Sequence, residues 1–199
     1  MNDDTWRGDG LVVLSGPSGV GKTTVERRLL SDSRSGRWGV RVEKSVSATT
    51  RAARPGEVDG VDYQFMSAEE FEVRRKRNEF LECFEVFGRG VWYGTLRSVV
   101  REKLTAGTGG FVLLTIDVQG GRKVIQEYPA AQSFFLLPPS MTVLEQRLRG
   151  RGSDTDEEIA ARLRTAQQEI IAADLYRYHI VTHNPSQVAR QILERLARF

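Results

Sequence analysis

A single cysteine, Cys83, among 199 residues leaves no intrachain disulfide to form and no cysteine cluster to hold zinc. Histidine is nearly as scarce. Only His179 and His183 occur, four apart, and HIVT reads as a strand with no neighbouring acids to complete a metal site. No apolar run approaches the roughly 18 residues that a membrane-crossing helix needs. The opening residues MNDDTWRGDG are acidic and lack the apolar core of an export signal. Internal repeats and low-complexity tracts are missing too. These absences lead us to expect a reduced, cytoplasmic protein that has no membrane contact. No feature of the sequence fixes an oligomeric state.

What is present fits one ordinary globular domain with a real core: 40% of residues are hydrophobic and 28% charged, with a net charge of +3. So mild a basic excess suits either nucleic acid or small phosphate ligands and decides neither. LVVLS (11 to 15) reads as a buried parallel strand that ends in a Gly-Pro loop, with a helix starting at Gly21 or Lys22. FVLLTID (111 to 117), SFFLL (133 to 137) and HIVT (179 to 182) are further buried strands with helical segments between them. That alternation predicts a parallel α/β sheet. Residues 40 to 65 hold short strands and turns. Ser67 to Glu70 is a capping box that opens a basic helix, AEEFEVRRKRNEF, and Thr155 to Glu158 is another, before apolar residues at helical spacing.

Gly16-Pro17-Ser18-Gly19-Val20-Gly21-Lys22-Thr23 fits G-x-x-x-x-G-K-[ST] without a mismatch, between a predicted strand and a predicted helix. In such a loop the glycines let backbone N–H groups turn toward phosphate oxygens. The helix N-terminus adds positive charge, Lys22 reaches the β- and γ-phosphates, and Thr23 offers its hydroxyl to magnesium. Thr24 completes the segment assigned to ATP. The loop does not say where the phosphoryl group goes. TTRAARPGEVDGVDY (49 to 63), with its proline and glycines, reads alone as a surface turn carrying two arginines.

The blocks GPSGVGKTT, SVSATTRAARPGEVDGVDYQF, NEFLECFEVFG, YGT, IDVQG and RLRGRGSDTDEEIAARL stand in the order found in guanylate kinases, across residues 11 to 182. The chain thus resembles that family. The resemblance implies a P-loop NTPase fold with a parallel core sheet flanked by helices, a small mixed-β GMP-binding segment and a helical lid. In a single domain the core would take about 8–45, 98–138 and 166–199, the GMP-binding segment about 46–97, and the lid about 139–165. It also implies transfer of the γ-phosphoryl group of MgATP to GMP and dGMP in purine nucleotide metabolism. By resemblance, Arg51 and Arg54 grip the GMP phosphate with Tyr63 and Tyr93, and Glu57 orients the arginines. Glu82 reads guanine, with Ser47 and Thr95 at the hydroxyl positions and Asp117 as a second carboxylate. A guanine edge has donors at N1 and N2, so carboxylates complement it and repel adenine. Groups left unpaired by the wrong base discriminate by about 10⁴-fold. Arg147, Arg151 and Arg162 would close over the phosphates from the lid, where cations stabilise charge spread over the transferring group. Arg149, Arg164 and the run Arg74-Arg75-Lys76-Arg77 read as solvated helix charges rather than a nucleic-acid surface.

The chain departs from the family at two positions. Thr115 stands where an acid usually precedes Asp117 by two residues; we expect it to donate a hydrogen bond and activity to persist. Thr182 stands at the asparagine that borders the ATP adenine, which predicts looser purine selectivity on the donor side. Two other readings compete. Guanylate-kinase-like scaffold modules bind phosphorylated partners but usually have a degraded P-loop, which is intact here. Related kinases of ribose bisphosphate take another acceptor, against which Glu82 and Asp117 speak.

Overall fold

The computed structural model describes residues 8–86, 90–106, 110–150 and 155–199. Its first unit is a parallel sheet of five strands in the order β2-β7-β1-β8-β9. These are β1 Leu11–Ser15, β2 Val42–Lys44, β7 Phe111–Thr115, β8 Gln132–Leu137 and β9 Tyr178–Val181. The central strand β1 is buried along its whole length, as a run of LVVLS requires when both faces are covered. Its two-residue period sends Val12 and Leu14 into a core with Val25 and Leu29 of α1 (Lys22–Arg34) and with Ile192 and Leu193 of α7 (Pro185–Leu196). Leu11 and Val13 join the opposite core, with Val100 of α3 (Arg97–Thr105) and Val124 of α4 (Val118–Glu127). Each fully buried Leu or Val contributes about 1.5–3 kcal/mol, so three layers follow from one five-residue strand and its neighbours.

The second unit is a mixed four-stranded sheet in the order β4-β3-β6-β5. Strands β3 (Ala48–Thr49) and β4 (Gln64–Phe65) pair in parallel, while β5 (Phe80–Val86) and β6 (Val91–Leu96) form an antiparallel pair. It has its own small core of Ala48, Phe71, Phe80 and Leu96, under the helix α2 (Ala68–Lys76). The register of β5 against β6 shifts between Phe80 and Glu82, a β-bulge at Leu81. The extra residue inverts the alternation. Phe80 faces the small core and Leu81 enters the α3/α4 core, and Glu82 then faces α4 instead of following Phe80 inward.

A third cluster joins α5 (Met141–Arg149) and α6 (Asp156–Ile171) through Leu144, Leu148, Ile159 and Ala166. Both halves of the expected capping box form at the start of α6, where Thr155 and Glu158 exchange side-chain to backbone bonds. At α2 Ser67 caps Glu70, but the Glu70 carboxylate accepts from Arg74 one turn on. That helix is also shorter than the sequence suggests. Asn78 takes a left-handed φ of 55° and turns the chain, and Phe80 starts β5, stacked on Phe71 at 4.3 Å. Among the described residues no helix is long and apolar enough to cross a membrane.

Candidate active site

The loop from Gly16 to Lys22 joins β1 to α1 through three left-handed glycines: Gly16 at φ 146°, Gly19 at 86° and Gly21 at 108°. Gly16 also has no room for a side chain, since a Cβ there would stand 2.5 Å from the Leu136 carbonyl. Nζ of Lys22 turns back over the loop and donates to Gly16 O and, at 3.2 Å, to Pro17 O. Thr23 and Thr24 lie exposed on the first turn of α1.

The helices α5 and α6 touch three consecutive residues of this loop. Arg162 of α6 donates to the Ser18 hydroxyl at 3.3 Å. A Cβ on Gly19 would lie 2.8 Å from Leu148 of α5. Arg147 donates to Val20 O at 2.8 Å, and also to Oγ1 and the carbonyl of Thr182, at 3.0 and 2.7 Å. Arg151 lies outside the described residues. Arg149 is exposed and pairs with Glu145 and Asp156. In the run 74–77, Arg74 and Arg75 pair with Glu70 and Glu72, and Arg75 also lies over Trp92 at 5.2 Å.

On the second sheet the turn chemistry and the arginines form one feature. Gly56 and Gly60 take left-handed angles, and Asp59 and Asp62 accept from the Phe65 and Val58 amides, which folds the loop back. Both Nη2 bonds of Arg51 go to the Glu57 carboxylate at 2.9 Å, and its Nε donates to the Tyr93 hydroxyl at 3.1 Å. Its guanidinium lies 5.5 Å from the Tyr63 ring centre, and Tyr63 meets Tyr93 edge-on at 5.6 Å. Glu57 also accepts from the Arg54 backbone at 2.8 Å, so it holds one arginine by the side chain and the other by the main chain. The Arg54 residue is exposed, and Ser47 is half-buried just before β3.

Glu82 and Thr95 are cross-strand partners, 1% and 0% exposed, and Thr95 Oγ1 donates to Glu82 Oε1 at 2.6 Å. The other oxygen, Oε2, is buried without a hydrogen-bond partner among the described residues. A buried acceptor left open is costly unless a ligand donor meets it. Burial pushes the Glu82 carboxyl up to about 7; the Thr95 bond works against that push and the nearby Asp117 charge adds to it. Asp117 caps α4 through the Gly120 amide at 2.8 Å, a local role its sequence context had not suggested. Burial lifts its carboxyl to about 6 despite that bond and the Lys22 charge. Gly120 and Gly121 make the fit possible. A Cβ on Gly120 would come 2.7 Å from Glu82 Oε2, and one on Gly121 would come 2.1 Å from the Tyr176 hydroxyl.

Both departures take definite form. Thr115 ends β7, but its hydroxyl is buried with no hydrogen-bond partner among the described residues, against the expectation that it donates one. Thr182 is 3% exposed and its hydroxyl is used on both sides, donating to Leu137 O at 3.0 Å and accepting from Arg147. Sequence reasoning missed Glu169, a half-buried α6 residue whose carboxyl is raised by burial and drawn down by Lys22 and the Ser18 amide. The signal was present: Glu169 follows Arg162 by seven residues, two turns on the same helix face. Among the described residues no group of three or more His, Cys, Asp or Glu is placed to hold a metal ion.

The guanylate kinase family model matches residues 9–198. A guanylate kinase from Rhodopirellula baltica is 44% identical over 195 residues, 98% of this chain and 90% of the relative. One from Synechocystis sp. is 45% identical over 184 residues, 92% of this chain and 91% of that one. The crystal structure of guanylate kinase from Anaplasma phagocytophilum superimposes with a TM-score of 0.72 at 33% identity, covering 95% of this chain and 85% of that one. Matched by the family model over nearly its whole length and 44–45% identical to two of its members, the chain belongs to the guanylate kinase family, the nucleoside monophosphate kinases of that name.

Proposed function

We propose that the protein transfers the γ-phosphoryl group of MgATP to GMP, and to dGMP, giving ADP and the nucleoside diphosphate in purine nucleotide metabolism of the cytoplasm. The observation that carries the acceptor is Glu82: a buried carboxylate with one oxygen held by Thr95 and the other open. Such an acceptor suits the N1 and N2 donors of guanine and rejects adenine, whose amino group lies elsewhere on the edge. Asp117 and Ser47 complete the base side. Arg51 is already oriented by Glu57 and Tyr93, and its fork suits a dianionic phosphate, with Arg54, Tyr63 and Tyr93 around it.

Magnesium arrives with ATP as part of the substrate. The exposed Thr23 hydroxyl on the first turn of α1 is a hard oxygen donor, and magnesium bound through phosphates needs few protein ligands. When bound it neutralises charge on the β- and γ-phosphates. The residues of the chain then bind and orient. The loop Gly16–Thr23 with Thr24 cradles the donor, Lys22 swings from its own loop carbonyls to the phosphates, and Arg162 with Arg151 offsets charge on the transferring group. GMP phosphate is already ionised, so no general base is needed. We divide the molecule accordingly into the five-stranded core, an acceptor segment of about 46–97 and a lid of about 139–165. Because the Thr182 hydroxyl donates its hydrogen to Leu137 O and accepts from Arg147, it has no donor left for a base, and donor purine selectivity should be looser, which comparing ATP with GTP as donors checks.

A coupled ADP-release assay with magnesium and ATP across GMP, dGMP, AMP, CMP, UMP and ribose bisphosphate tests this. We expect turnover with GMP and dGMP. No turnover with GMP overturns the proposal.

A further inference from the structure

Arg147 touches the phosphate loop at a carbonyl, not at an amide. Its Nη1 donates to Val20 O at 2.8 Å, and the same nitrogen and Nη2 hold Thr182 through Oγ1 and the carbonyl, at 3.0 and 2.7 Å. A trans peptide points its C=O and N–H in opposite directions. Drawing Val20 C=O toward Arg147 therefore turns the Gly21 N–H away from it. Gly21 has the positive φ, 108°, that permits this plane. The guanidinium needs its own anchor to hold the carbonyl there. Thr182 supplies it: its hydroxyl hydrogen is spent on Leu137 O, so the oxygen is left to accept from Arg147.

We propose that Arg147 and Thr182 form a positioning pair that sets the Val20–Gly21 peptide plane, and with it a donor-phosphate amide, so that Arg147 acts through the loop instead of closing over the phosphates. This rests on the ATP-donor reading above and adds to it a residue, Thr182, that acts at one remove.

Thr182→Val keeps shape and burial but cannot accept from Arg147, whereas Thr182→Ser keeps the hydroxyl. Equilibrium ATP binding, the separate KM values for ATP and GMP, and the melting temperature would be measured for both. Thr182→Val should weaken ATP binding and raise its KM about tenfold, and leave the KM for GMP within about twofold. Thr182→Ser should restore the ATP values to within about twofold. In an Arg147→Met background, Thr182→Val should add less than a further twofold, because the pair works as one unit. Unchanged ATP binding in Thr182→Val overturns the inference. So does a fall in melting temperature with ATP and GMP constants moving together, the mark of a merely structural role. Failure of the wild-type protein to bind ATP at all would instead strike the donor reading itself.

Discussion

In the proposed acceptor site, Glu82 concentrates the chemistry in one side chain. Its open oxygen meets no donor among the described residues, and burial with a neighbouring acid raises its carboxyl to about 7. Guanine donors need the ionised form, so binding GMP favours loss of that proton. The KM for GMP should therefore fall as pH rises from about 6 to 8, while the KM for ATP moves little; pH profiles of both constants check this. In Glu82→Gln, the slope should vanish and the KM for GMP at pH 8 should rise at least about tenfold, since an amide offers only one acceptor and turns a donor on the base. A pH-independent KM in the wild type would count against Glu82 as the reader.

Among the elements, α4 shows how tightly a helix is fitted between the two sheets. It carries two adjacent glycines that are poor helix formers by about 1 kcal/mol each, yet both are needed for space. Alanine at 121 would press on the Tyr176 hydroxyl and Ser15 Oγ, at 2.1 and 2.6 Å from its Cβ. We expect Gly121→Ala to cost about 1–3 kcal/mol of stability by urea titration despite its better propensity. Gly120→Ala should spare more stability and impair GMP use, because it crowds Glu82. The core strands were legible because burial on both faces demands unbroken apolar runs, and the phosphate loop because its backbone angles demand glycine. The end of α2 was not legible. Its basic run continues to Arg77, and the break comes from Asn78 and from the stacking of Phe80 on Phe71, a contact between strand and helix. Nor could spacing alone show the Leu81 bulge, the cap made by Asp117 or the engagement of Thr182, since each depends on a partner distant in sequence or on a backbone angle that many residues can take.

At the scale of the whole molecule, function is held against stability. The ordinary Glu carboxyl near 4.5 is moved to about 7 in the fold, so the folded state holds this proton more tightly than the unfolded chain. The Glu82 contribution is thus most favourable below about pH 4.5 and is lost as pH rises to about 7, with Asp117, raised to about 6, acting in the same sense. Relative to Glu82→Gln, the ligand-free wild type should lose about 2 kcal/mol of unfolding free energy between pH 5 and 7.5. Urea denaturation at the two pH values measures it, and a constant difference would mean that Glu82 is not strained by burial. The grip of α5 and α6 on Ser18, Gly19 and Val20 has another consequence, one of timing. The loop that looks so local in sequence also accepts hydrogen bonds from Arg147 and Arg162, which lie 127 and 144 residues downstream. A ribosome delivers the loop early and its supports late, so a growing chain carries an unfinished donor site until nearly all of the protein has been made.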